Sequence, residues 1–146
     1  MNYIFTENRM KIYFAGSIKG GRQDVDLYAS LIEHLKEKGE VPTEHLGNPS
    51  ITDKGEVDKA PEVVHERNVN WLKEADVVVA EVTVKSLGVG YELGLAVAWK
   101  KKILCLFREE EIKLTNMIKG CPGVEVRYYK TLDEAKKIID KYFAKL

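Results

Sequence analysis

The apolar run Val77 to Val82 leads within four residues into Ser86-Leu87-Gly88-Val89-Gly90-Tyr91-Glu92-Leu93-Gly94, and this junction restricts the fold more than any other part of the chain. An apolar run of that length suits a strand covered on both faces of a parallel sheet. The segment after it continues in a helical pattern through Ala96, Val97 and Trp99. The resulting strand–loop–helix unit presents backbone N–H groups, a serine hydroxyl and one carboxylate at a helix N-terminus. Such an end attracts anions, because its first N–H groups lack intrahelical partners and carry the positive end of the dipole. Ser86 and Gly88 suit a phosphate. Glu92, one turn into the helix, does not, and a carboxylate beside an anion site fits chemistry better than binding. The same segment also reads as an ordinary helix cap followed by a solvated Glu92.

The rest of the chain repeats this alternation. Lys11 to Ala15 is a short apolar strand, followed by the loop Gly16-Ser17-Ile18-Lys19-Gly20-Gly21-Arg22. A helix from about Asp24 to Lys38 places Leu27, Leu31, Ile32 and Leu35 on one face, with Gly39 as its stop. Glu40 to His45 reads as a second strand, put near an edge by Pro42. Leu46 to Lys59 is polar and reads as a mobile loop, and Ala60 to Glu74 as a helix with Val64, Val69 and Leu72 inward. After the helix Gly88 to Lys100 come a strand at Lys102 to Phe107 and a short element at Ile112 to Lys119. A strand near Val124 to Tyr128 and a helix from Leu132 to Phe143 close the order.

This order predicts an α/β fold: a single-domain, doubly wound, five-stranded parallel sheet in a flavodoxin- or Rossmann-like three-layer sandwich. Residues 10–146 form the domain, with 1–9 as an N-terminal extension. Ligands of such sheets bind beyond the carboxyl ends of the strands, where the strand order reverses. The loops Gly16 to Arg22 and Ser86 to Glu92 would meet there. The first loop lacks both the Gly-Lys-Ser/Thr ending of a P-loop and the G-x-G-x-x-G dinucleotide spacing, so a smaller phosphate ester fits better than a nucleoside triphosphate or NAD.

Composition narrows the function classes. Among 146 residues, 23 basic side chains balance 23 acidic ones, which favours neither a nucleic-acid polymer nor a membrane surface as partner. The two cysteines, Cys105 and Cys121, make no disulfide framework and suit a cytoplasmic setting. With three scattered histidines they have no metal-ligand spacing, so no metal is expected. The acidic run Glu109 to Glu111 reads as a solvated loop.

The segments IYFAGSIKGGR, TEH, HERNVNWLKEADVVVAEVT, SLGVGYELG, KKILCLF and LTNMIKG occur here in the order and context of a known family. From Lys11 to Phe143 the chain resembles the 2'-deoxynucleoside 5'-phosphate N-hydrolases, a branch of the nucleoside 2-deoxyribosyltransferase superfamily. The resemblance implies hydrolysis of the N-glycosidic bond of a deoxynucleoside 5'-monophosphate to 2-deoxyribose 5-phosphate and free base. It also implies a homodimer that works without metal or organic cofactor. Glu92 matches the family nucleophile, which forms a covalent glycosyl intermediate, and Tyr13 matches the tyrosine beside it. Ser17, Ser86 and the backbone of Gly16 to Gly20 and Gly88 would hold the phosphate, with Gly21 and Arg22 completing that loop. Thr115 stands where relatives donate a phosphate-contacting serine from the second subunit. Ile18, Lys19 and His45 would border the base, and Met117 and Ile118 the dimer interface.

One position departs from the pattern: Asn68 stands where relatives carry an aspartate that acts on the leaving base or orients the sugar. An amide donates a hydrogen bond but delivers no proton. A natural variant with relaxed leaving-group needs, a deliberate substitution and a homologue that binds without cleaving are all consistent with it. His65, one turn earlier on the helix, is a substitute donor or a packing residue. Two other functions remain open: a nucleoside 2-deoxyribosyltransferase, which uses the same carboxylate but binds no phosphate, and a catalytically silent nucleotide-binding protein.

Overall fold

The computed structural model describes residues 9–18, 21–22, 24–109 and 113–146. Among the described residues, four strands, β1 (Ile12–Ala15), β2 (Val77–Glu81), β3 (Lys102–Arg108) and β4 (Glu125–Tyr129), form one parallel sheet in the order β1-β2-β3-β4. Tyr13 lies opposite Val78, and Ala80 opposite Cys105. The helices are α1 (Val25–Lys36), α2 (Pro61–Glu74), α3 (Leu87–Ala98), the single turn α4 (Asn116–Lys119) and α5 (Leu132–Phe143).

Because successive strand residues point to opposite faces, the apolar runs divide between two cores. Ile12, Phe14, Val77, Val79, Leu104 and Leu106 pack with Tyr28, Leu31 and Leu35 of α1 and with Ile139 of α5. Tyr13, Ala15, Val78, Ala80, Ile103 and Cys105 pack with Leu72 of α2 and with Val89 and Leu93 of α3. Helix ends follow the sequence cues. Pro61 opens α2, Ser86 Oγ accepts from the Val89 N–H to cap α3, and Thr131 caps α5 through the Glu134 N–H. Gly39 follows α1 where the chain passes so close to the Met10 carbonyl that a Cβ would lie 2.3 Å from its oxygen.

The expected second strand does not form at Glu40 to His45, so the sheet has four strands among the described residues rather than the expected five. From Glu40 to His45 only one parallel bridge forms, Lys11 with Glu40, sealed by Glu40 N–H to the Met10 carbonyl and Ile12 N–H to the Glu40 carbonyl, both 2.8 Å. Pro42 has no N–H to extend the ladder. The next inward donor, the Phe14 N–H, is taken by the Thr43 hydroxyl at 3.0 Å, and the chain winds into a 3₁₀ turn at Glu44–Gly47. A side chain thus replaces the missing strand. The short element near residues 112–119 is a helix over Asn116–Lys119, with Ile112 outside the described residues.

Candidate active site

Glu92 sits on α3 five residues beyond its first turn's start at Leu87, facing the end of β1. The Tyr13 hydroxyl donates to its Oε1 at 3.0 Å. Burial pushes the Glu92 carboxyl up to about 7, and the Tyr13 donor only partly offsets this. Tyr13 is itself held well above the usual phenol range by burial and by the carboxylate beside it. The pair is therefore a carboxyl poised near neutrality next to a phenol that stays protonated, able to orient the carboxylate but not to compete for its proton.

Two adjoining cavities of about 340 and about 410 Å³ meet at this pair, sharing Ile18, Asn68, Gly88 and Glu92. Both lie in the size range of small-ligand sites. The larger is bordered by Tyr13, Gly16, His45, Lys85 and Ser86. The smaller runs under α2 past Val64, His65 and Leu72 to Tyr91 and Leu95 of α3, with Glu56 and Lys59 at its other side. The larger cavity thus has a helix N-terminus, a hydroxyl and a lysine, and the smaller sets the apolar Val64, Val69, Leu72 and Leu95 beside Lys54, Glu56, Lys59 and Asn68.

The candidates from the first loop divide. Gly16 and Ile18 line the cavities, and between them the Ser17 side chain is fully buried. The Ser17 N–H donates to the Tyr28 hydroxyl at 3.1 Å, but its own hydroxyl has no hydrogen-bond partner. A buried hydroxyl left unpaired costs about 1–3 kcal/mol, and Ser17 is not among the residues that line the two cavities. Gly21 makes a turn at φ 137°, a value suited to glycine. Arg22 donates to the carbonyls of Ser17, Leu46, Asn48 and Ile51, so its guanidinium ties the following loop to the first one. Lys19 and Gly20 lie outside the described residues.

At the α3 end, the Ser86 hydroxyl accepts from Val89 and keeps its own hydrogen for a ligand. Gly88 lines both cavities and has room for a Cβ, its nearest neighbour being Ser86 Oγ at 3.8 Å. The loop leading to Ser86 is braced from below: the buried Glu81 carboxylate accepts from the Thr83 N–H at 2.7 Å and from the Tyr129 hydroxyl. Thr115 caps α4 by accepting from the Met117 N–H and borders a third cavity of about 300 Å³ that shares Lys85 and Ser86 with the larger one. Within its own chain Thr115 lines neither cavity at Glu92.

On α2, Arg67 links the remaining candidates. Its guanidinium donates to both Glu56 oxygens at 2.8 and 2.6 Å and to Asn68 Oδ1 at 3.0 and 2.9 Å, and it lies 4.7 Å over the Trp71 ring. His45 Nε2 is 3.7 Å from Glu56; burial lowers the His45 pKa, with Glu56 pulling the other way. His65 pairs with the Tyr91 hydroxyl at 2.8 Å on the outer side. Lys85, Glu56 and Arg67 were absent from the sequence reading. Only Lys85 had a local signal, as the cation preceding the cap residue of α3.

The pattern of the family described as nucleoside 2-deoxyribosyltransferase matches residues 12–127. A Danio rerio protein named 5-hydroxymethyl-dUMP N-hydrolase is 50% identical over 141 residues, covering 94% of this chain and 98% of the relative. A Homo sapiens protein of the same name is 44% identical over 140 residues, covering 92% and 80%. Among solved structures, a CMP N-glycosidase from Clostridium botulinum shares the fold with a TM-score of 0.64 at 24% identity, over 88% of this chain and 97% of that one. The resemblance carried by the sequence segments thus holds across nearly the full length, and the chain belongs to the nucleoside 2-deoxyribosyltransferase family.

Proposed function

We propose that this protein hydrolyses the N-glycosidic bond of 2'-deoxynucleoside 5'-monophosphates, releasing 2-deoxyribose 5-phosphate and a free base. The carrying observation is the Tyr13–Glu92 pair beside the meeting point of two cavities, one of which has the helix N-terminus, hydroxyl and lysine that suit an anion. The names of the relatives support a deoxynucleoside monophosphate as substrate. In this reading the phosphate lies by Ser86, Gly88 and Lys85, with Ser17 and the backbone of the first loop, and the base lies under α2 beside Ile18. The sugar then bridges the two cavities with C1' against Glu92.

As the C1'–N bond breaks, its electron pair leaves with the base and positive charge grows on the sugar. The Glu92 carboxylate attacks C1' to form a glycosyl ester, and Tyr13 aligns the attacking oxygen. Water then attacks C1', returning the carboxylate and releasing the sugar phosphate. Because the carboxyl titrates near 7, Glu92 can lose its proton before attack at neutral pH; it is the leaving group when water attacks the ester, and the proton of that water passes to solvent. Arg22 acts on the loops rather than on the phosphate.

Two copies complete the site. Leu87 and Met117 are 97% and 84% exposed, and Tyr91 is also exposed, an apolar face on α3 and α4 around Thr115 that a second subunit would cover. Thr115 would then reach the phosphate of the partner's site. Residues 10–146 form the working unit in the cytoplasm, with helices on both faces of the sheet in a flavodoxin-like layering. The test is to incubate the protein with deoxynucleoside monophosphates and with the matching nucleosides and to measure free base. Release from monophosphates alone supports the reading. Release from nucleosides with transfer to a second base would replace it with the transferase.

A further inference from the structure

The orientation of the Asn68 amide is settled by its neighbour. A guanidinium has donors only, so the Asn68 atom that receives both Arg67 Nε at 3.0 Å and Nη2 at 2.9 Å must be the oxygen. Arg67 cannot easily turn away, because its two terminal nitrogens also grip the Glu56 carboxylate and its plane rests on Trp71. With the oxygen engaged, the Nδ2 hydrogens are the part of Asn68 left for the cavities, and Asn68 lines both of them together with Glu92.

We infer that Asn68, held by Arg67, is a neutral hydrogen-bond donor to the departing base, and that this restricts efficient cleavage to bases that leave as stabilised anions. The inference rests on the reading of the site as an N-glycosidase. When the C1'–N bond breaks, its electron pair moves onto the base nitrogen. In a uracil-type base that charge spreads onto the carbonyl beside the nitrogen, where an amide N–H can stabilise it without transferring a proton. The base anion is protonated afterwards by water. Adenine offers no carbonyl beside its scissile nitrogen and departs well only when protonated, which an amide cannot do. Asn68 is thus a specificity-determining catalytic residue, and Arg67 is the positioning residue that keeps its donor edge inward.

The experiment measures kcat and KM for dUMP, 5-fluoro-dUMP and dAMP with the parent, Asn68→Ala, Asn68→Asp, Arg67→Met and Arg67→Lys, alongside Glu92→Gln. In the parent, kcat should follow the acidity of the departing base, 5-fluoro-dUMP ahead of dUMP and both far ahead of dAMP. Asn68→Ala should lower kcat for dUMP by about 100-fold, the scale of one lost donor to developing negative charge. It should cost 5-fluoro-dUMP less and leave dAMP nearly unchanged, with small changes in KM. Arg67→Met should reproduce that leaving-group pattern in part, and Arg67→Lys should recover some of it. Asn68→Asp should not gain on any base, because Arg67 would hold the carboxylate ionised and turn a donor into an acceptor.

A gain in Asn68→Asp that includes dAMP would overturn the inference and identify a missing general acid. Equal losses on all three substrates in Asn68→Ala would reduce the residue to a structural role. If the parent released no base from any monophosphate, or Glu92→Gln matched it, the glycosidase reading itself would fall. That outcome is distinct from a wrong leaving-group pattern.

Discussion

The Tyr13 hydroxyl donates to Glu92 Oε1 at 3.0 Å, joining residues 79 positions apart across the space between β1 and α3. A donor to a carboxylate favours its charged form, while the surrounding burial favours the neutral one, and here burial prevails. The balance leaves the carboxyl titrating where a small change of environment alters its charge at neutral pH.

Tyr13→Phe should therefore raise the Glu92 pKa above about 7, since it deletes the hydrogen bond that lowers it. Attack on C1' needs the carboxylate, so activity rises with pH through the Glu92 titration. In Tyr13→Phe that acidic limb of the kcat/KM profile should move to higher pH, with a loss on the order of 10-fold at pH 7 from one hydrogen bond. An unmoved limb would remove Tyr13 from the control of Glu92.

Glu92→Gln should abolish turnover yet stabilise the unliganded fold at alkaline pH. The folded carboxyl binds its proton more tightly than an ordinary one at 4.5, so the parent loses stability as pH rises from about 4.5 through about 7. An amide carries no such penalty. Urea unfolding at pH 5 and pH 8 should show the variant's advantage growing toward ~3 kcal/mol at the higher pH. An equal difference at both values would mean that the gain is not electrostatic.

Lys85→Ala and Ser86→Ala should weaken binding of 2-deoxyribose 5-phosphate, each by about 10-fold, the scale of one charge-assisted hydrogen bond. Neither should change affinity for the matching nucleoside. Calorimetry with both ligands separates the effects, and a parallel loss on the nucleoside would place these residues elsewhere than at the phosphate.

Subunit mixing tests the reach of Thr115. If it serves the neighbouring site, a hybrid of Glu92→Gln and Thr115→Ala chains contains one site with both groups intact. Mixing the two variants should then give more activity than either alone, while Met117→Asp should shift the protein toward monomer in sedimentation. No recovery on mixing would confine Thr115 to its own chain or remove it from the site.

Much of this protein was legible along the chain because its signals are local. Alternating faces of the strands, the Ser86 cap, the glycines after it and Glu92 one turn further all depend on neighbours within a few positions, where backbone geometry dictates who meets whom. The family segments added Tyr13 to that set. The tertiary structure alone decided the rest. Thr43 replaces a strand because its hydroxyl happens to face the Phe14 N–H, so Glu40 to His45 gave up its ladder after one bridge. Arg22, placed among the phosphate candidates by its loop, spends its donors on carbonyls of residues 17 to 51. Arg67 joins Glu56 from a loop to Asn68 on its own helix, and in doing so sets which edge of the amide meets the cavity. Long polar side chains choose partners by three-dimensional proximity and by which donors remain unpaired, and neither is written in their spacing along the sequence.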